Sequence, residues 1–213
     1  MKKNLKKYIL THINKLGVKK NDKILVYSDL SRFGLNNKEL PIIVISSLKK
    51  IIGKKGTIVM PFYIFEKNKK FIFDKKKFLF SDKIGSLTKK FCNEKKIIRS
   101  DCLIHNHIGI GPYAKILKLS EENISIGKGS DFDFMMKNNF KLLLLGCEPM
   151  QGATYLHHLE ALYGVPYRKW IVVNKKKIYN KKIKNISIKY FAKKTNKYRS
   201  NFNLVFDKLN SSK

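Results

Sequence analysis

The chain has 213 residues and a formal charge of +31, from 46 lysines and arginines against 15 aspartates and glutamates. That length suits one domain spanning residues 1–213, with an ample core. So positive a field attracts anions and repels cations, which argues against a polycationic ligand. Lys, Asn and Ile are abundant throughout, a pattern of AT-rich codons, so most of the lysines are read as solvated surface.

In chain order, residues 2–16 have helical apolar spacing and residues 23–27 read as a strand. Residues 39–52 form an apolar-striped helix, and residues 57–61 a second strand. Residues 71–80 read as an extended excursion, and residues 86–93 and 113–119 as helices. Residues 142–145 are a run of leucines, as in a strand covered on both faces, and Gly146 ends it. A short helix follows, with Thr154 as its N-cap and Leu156, Leu159 and Leu162 as its packing stripe. Gly164 fits a left-handed stop and Pro166 cannot continue the helix. The tail, residues 201–209, has helical spacing again. Strands alternating with helices predict an α/β fold, a mainly parallel central sheet with helices on both faces.

The short helix carries the most chemistry. His157 and Glu160 lie at i and i+3, on one face of its first turns. Histidine is the side chain best suited to moving protons near neutral pH, and a carboxylate one turn away can orient the ring or stabilise its charged form. The pair follows a strand's carboxyl end, where α/β proteins place ligand crevices. His158 points about 100° further round the helix.

Short segments elsewhere join this one in a recognisable order. They are Leu16-Gly17-Val18, Ser28-Asp29-Leu30-Ser31-Arg32-Phe33-Gly34, Gly56-Thr57-Ile58-Val59-Met60-Pro61, Arg99-Ser100, His105, Gly111, Gly129-Ser130, Leu145-Gly146 and Thr154-x-x-His157-x-x-Glu160. Their combination over residues 16–170 resembles the antibiotic N-acetyltransferase family, best known for the aminoglycoside 3-N-acetyltransferases. The resemblance implies acetyl-CoA as acyl donor, no metal, and transfer to the amine of a sugar. It implies His157 as general base, with Glu160 and Thr154 beside it. An ammonium has no lone pair, so a proton must leave before nitrogen attacks the thioester. It further implies contacts to the CoA arm from Ser28, Asp29, Leu30 and Ser31, with Arg99, Ser100, His105 and Ser130 lining or supporting that site. Tyr27 is a further pocket candidate.

The chain departs from the family pattern at two places. Tyr27-Ser28-Asp29-Leu30 stands where the family reads His-Ser-Ser-Leu. Residues 99–106 lose the first histidine and the proline of the family's R-S-x-H-P-x-H-S and keep His105. The chain is also shorter than typical members, mostly beyond Trp170. An unchanged active-site helix with an altered rim points to retained chemistry on a different acceptor.

Charge indicates which acceptor. Enzymes that modify aminoglycosides need carboxylates around the acceptor, and the resemblance places them after the Met-Pro segment and in the C-terminal third. Here those stretches read Glu66-Lys67-Asn68-Lys69-Lys70, Asn174-Lys175-Lys176-Lys177 and Lys181-Lys182. The expected acceptor is therefore an amino sugar on a nucleotide diphosphate or lipid phosphate, as in surface-glycan assembly, with lysines meeting the phosphates. Aminoglycoside acetylation is the alternative within the family.

A different class stays open beside it. Phenylalanines and tyrosines interleave with lysines in residues 62–80 and 175–198, as in proteins that bind a phosphate backbone and stack bases. No zinc finger, RNP-type pair or basic helix-turn-helix accompanies them, so no specific nucleic-acid partner is expected. Cys102-x-x-His105-x-His107 has donors that zinc accepts but no fourth ligand, and a structural role is expected. Gly127-Lys128-Gly129-Ser130 lacks the spacing of a phosphate-binding loop. The cysteines, Cys92, Cys102 and Cys147, are scattered and odd in number, which argues for a reducing compartment. No sustained apolar segment follows the charged residues 1–7 and no run reaches membrane-span length, so a cytoplasmic enzyme is expected. Self-association is left open.

Overall fold

Alternate residues of strand β1 (Lys23–Ser28) face opposite ways, and both sides are apolar. Ile24 and Val26 enter one hydrophobic core and Leu25 and Tyr27 another. A strand buried on both faces must lie inside a layered sheet. The computed structural model describes the chain except residues 1, 36, 64–70, 79–83, 151, 153, 196, 198–200, 212 and 213. The lysine-rich stretch 66–70 thus lies outside the described residues.

The fold is α/β. β2 (Thr57–Pro61) and β6 (Lys141–Leu145) flank β1 and run parallel to it. β5 (His107–Ile110) joins β2 in antiparallel register, and β4 (Ile98–Arg99) pairs antiparallel with β5. The order is β4-β5-β2-β1-β6. The parallel strands are those expected from the sequence; β4 and β5 turn the far side of the sheet antiparallel.

Helices cover both faces. On one, α1 (Lys2–Lys15) and α2 (Leu40–Ile52) pack through Ile9, Ile13, Val44 and Leu48, with α3 (Ser86–Phe91) adding Leu87 and Phe91. On the other lie a 3-10 helix (Pro112–Lys118), α4 (Asp131–Lys137) and α5 (Thr154–Tyr163). The segment expected to be helical at 113–119 is thus 3-10. The described part of the extended excursion at 71–80 contributes one two-residue strand, β3 (Ile72–Phe73). α6 (Asn203–Ser211) forms the tail. No helix among the described residues is long and apolar enough to cross a membrane.

A second sheet was not anticipated. β7 (Arg168–Tyr179) and β8 (Lys182–Lys193) form a long hairpin, and β3 pairs with β7. Ile186 and Ile188 of this hairpin enter the first core and Phe191 the second, which ties the sheet to the body of the fold.

Because β2 and β6 lie on opposite sides of β1, the sheet has a switch point at the carboxyl end of β1, where a crevice opens in such folds. The loop after β1 and the loop after β6 meet there. Asp29 N–H donates to Leu145 O at 2.9 Å, and Arg32 pairs with Glu148 across the gap. Gly146 has φ +66, and a Cβ on it would stand 2.4 Å from Asp29 O, so only glycine lets the two loops close.

Candidate active site

α5 begins at Thr154 and ends at left-handed Gly164, whose N–H bonds Glu160 O. Thr154 is its first helical residue rather than its N-cap. The leucine stripe is also corrected: Leu156 and Leu159 are half-buried and Leu162 is exposed, whereas His158 and Glu160 are the buried positions. The polar face of α5 turns inward, toward a site built to receive it.

His157 Nδ1 lies 2.7 Å from Glu160 Oε2. A carboxylate only accepts, so this contact assigns the ring proton to Nδ1 and leaves Nε2 as the basic lone pair. Arg168, the first residue of β7, lies beneath both. Its Nε is 2.7 Å from Glu160 Oε2, an ion pair in which Nε makes no hydrogen bond. Its Nη2 is 2.9 Å from Nδ1 and 3.3 Å from Nε2. Arg168 Nη1 donates to Phe191 O at 3.1 Å, and the Tyr167 hydroxyl donates to Glu160 Oε1. Phe202 meets the imidazole edge to face at 5.3 Å.

These neighbours set the charge state of the base. Burial lowers the His157 pKa, and the Arg168 cation lowers it further; the Glu160 bond and charge act the other way, and Lys193 adds to the lowering. The imidazole is therefore neutral at neutral pH, as a base must be. Its side chain stays 27% exposed, so an incoming amine can reach it. Tyr167, by burial and by its bond to Glu160, has a pKa pushed up to about 12 and stays a donor.

One turn before His157, Thr154 meets a second group. The Tyr27 and Tyr63 hydroxyls hydrogen-bond each other, and both also bond the Thr154 side chain. Burial holds both phenols well above their ordinary pKa, so they remain neutral donors. The hydroxyl cluster sits at the carboxyl ends of β1 and β2. Ser28 closes β1 half-buried, and Leu30 is buried. Asp29 caps the 3-10 turn Leu30–Phe33 by accepting from Ser31 N at 3.2 Å, and it also takes the Ser31 hydroxyl. The side chain in place of the family's second serine thus stiffens the loop.

Four residues expected to line or support the CoA site, Arg99, Ser100, His105 and Ser130, are buried with polar atoms engaged inside the protein. Arg99 is buried, donates to Asn106 Oδ1 at 2.8 Å and to Asp74 O and Lys77 O at 3.1 and 2.7 Å, and stacks on Phe62, Phe73 and Phe78. Ser100 Oγ accepts from His107 N at 3.2 Å and from Asn106 Nδ2 at 3.1 Å. Ser130 caps α4: its hydroxyl donates to Gly127 O at 2.7 Å and accepts from Asp133 N. His105 is buried, with Nδ1 2.6 Å from Ser125 Oγ and its pKa lowered to about 3 by burial.

The Cys-His set is dispersed among separate partners. Cys102 Sγ points at Ile124 O, His105 at Ser125, and His107 Nδ1 at Asp131 Oδ2, 2.7 Å away. Among the described residues no group of three or more such side chains could hold a metal. His158 is fully buried, accepts from Gly127 N at 3.1 Å, and has its pKa lowered to about 4 by burial. Arg168, Tyr167 and Tyr63 are the residues that sequence reasoning missed. A glutamate on the inner face of a helix needs a cation, and Arg168 eight residues on was the available signal.

A helix-borne His-Glu pair at the switch point of an α/β sheet defines a proton-transfer site on an acyltransferase-like scaffold. The sequence profile described as aminoglycoside 3-N-acetyltransferase matches residues 25–213, and the chain belongs to that family. It is an acetyl-CoA-dependent N-acetyltransferase. Solved structures share the fold. The YokD protein from Bacillus subtilis superposes with a TM-score of 0.79 at 21% identity, over 97% of this chain and 86% of its own. AAC-IIIb in a binary complex with CoASH gives 0.84 at 19%, over 98% and 85%. AAC-VIa bound to sisomicin gives 0.77 at 18%, over 87% and 75%. A comparison with curated proteins finds no match.

Proposed function

We propose that the chain acetylates the amine of an amino sugar carried on an anionic group, a nucleotide diphosphate or a lipid phosphate, with His157 as general base. One observation carries the reading of the acceptor: the Arg168 and Glu160 charges beside the base cancel as a buried ion pair, and Lys193 adds a positive charge. A polycation would meet repulsion at the reacting nitrogen, and a phosphate-bearing acceptor would meet attraction. A role in surface-glycan assembly fits such an acceptor.

In this mechanism the acceptor ammonium first loses one proton to solvent, and Nε2 of neutral His157 takes a second proton from the nitrogen as it attacks. The nitrogen bonds to the thioester carbonyl carbon, and the imidazolium is stabilised by Glu160 through Nδ1–H. The hydroxyls of Tyr27, Tyr63 and Thr154 supply neutral donors near the base for the developing oxyanion. Collapse breaks the carbon–sulfur bond, and the imidazolium returns its proton to the leaving thiolate. Ser28, Asp29, Leu30 and Ser31, at the mouth of the crevice, are the candidate contacts for the CoA arm.

The second reading is aminoglycoside acetylation, favoured by the family's description and by the solved relative that holds sisomicin. Thiol release from acetyl-CoA, with nucleotide-linked amino sugars and sisomicin as competing acceptors, decides between them. Higher kcat/KM for a nucleotide-linked amine supports the anionic acceptor. Turnover of sisomicin alone replaces it.

A further inference from the structure

Trp170 is the only tryptophan in the chain, and it is 46% exposed. It floors a groove of about 660 Å³ bounded by β7, by α5 and by residues 124–128. Val172, 65% exposed, and Leu162, 39% exposed, lie beside it. Single exposed apolar residues are ordinary, but a contiguous patch around a tryptophan marks a binding surface.

The indole is fixed from behind. It packs on Phe191 with ring centroids 4.9 Å apart. It also covers Gly127, where a Cβ would stand 3.2 Å from the indole Cη2. A larger residue there would push the ring out of the groove. The aromatic floor is thus held in place while part of it stays open to solvent.

The rim has one sign of charge. Lys128 and Lys189 line the groove, and no carboxylate among the described residues does. A held aromatic face with ammonium groups at its edge suits a planar base that carries phosphates. The ring stacks the base and the lysines meet the phosphate oxygens.

The groove also stands at a useful distance from the base of the reaction. Ala161 lines it four residues after His157, about 6 Å further along α5. Trp170 is two residues after Arg168, about 6.6 Å along β7. We infer that this groove binds the base and phosphates of the nucleotide that carries the amino sugar, leaving the sugar amine to reach His157. The inference rests on the anionic-acceptor reading above and names the part of the protein that selects for it.

Because Trp170 is the sole tryptophan, its fluorescence reports on this groove alone. The protein is titrated with uridine diphosphate and, separately, with CoA. The expected result is saturable quenching by uridine diphosphate, weakened at least tenfold in the double variant Lys128→Glu, Lys189→Glu. Both lysines are surface residues, and an unchanged thermal midpoint checks that the variant is folded. Absence of quenching by uridine diphosphate overturns the inference. So does quenching by CoA that uridine diphosphate cannot displace, which would assign the groove to the donor. Neither result bears on the acceptor reading, which thiol release with nucleotide-linked amines tests separately.

Discussion

Arg168 Nε lies 2.7 Å from Glu160 Oε2, directly beneath the His157 ring. Both side chains of this pair are nearly buried, so the arginine neutralises the carboxylate that orients the base and also disfavours a charged imidazole. Burial lowers the basicity of the ring, and these two neighbours then act on it in opposite directions.

Arg168→Gln separates those effects. Without the cation the His157 pKa rises, so the acid limb of the pH profile of kcat/KM moves to higher pH. Removing one partner of a buried ion pair also leaves Glu160 uncompensated, at a cost of about 3 kcal/mol. For a chain of this size that is a fall in Tm of roughly 6–12 °C. A profile that stays in place would show that Arg168 does not act on the base.

Acid should weaken the fold at particular buried histidines. His105 and His158 have folded-state pKa values lowered to about 3 and about 4, against 6.5 unperturbed. Between pH 6.5 and 4 the unfolded chain binds protons at both positions and the folded chain does not. Stability is thus present above the unfolded pKa and falls as pH drops through this window. The slope is about 1.4 kcal/mol per pH unit for each histidine, or about 2.7 for the two. Urea unfolding at pH 7, 6 and 5 measures it, and His158→Gln should remove about half. A flat dependence would contradict the burial of both rings.

Arg99→Met tests whether the arginine of the Arg99-Ser100 segment touches CoA or holds the fold. Its guanidinium serves three carbonyl oxygens and Asn106 inside the protein. The variant should lose more than about 2 kcal/mol of stability, because those acceptors are left without donors. The KM for acetyl-CoA should stay where it was. A raised KM at unchanged stability would restore the direct contact.

The sequence made His157 and Glu160 visible because both lie on one short helix, where i, i+3 spacing fixes a shared face. Arg168 was hidden because it reaches the pair from the start of β7, a tertiary placement that no local pattern encodes. The β7–β8 hairpin was hidden by its own composition. Its turn residues, Asn180 and Lys181, adopt left-handed φ values of 48° and 63° as a tight hairpin requires. Lysine at the second position lacks the usual Asn-Gly signal, and the lysines along both strands mask the alternation of β8. Ser130 stands near the CoA by resemblance alone; in the fold it caps α4 from a buried position. The parallel strands were legible because they read as apolar runs, whereas β4 and β5 are only two and four residues long.

The central claim is that His157 Nε2 takes the proton from the acceptor amine. The most direct measurement is thiol release from acetyl-CoA by His157→Ala at saturating acceptor, alongside the affinity of the variant for CoA. The account predicts a fall in kcat of order 10²-fold or more with CoA binding retained. Unchanged turnover in a folded variant would contradict it.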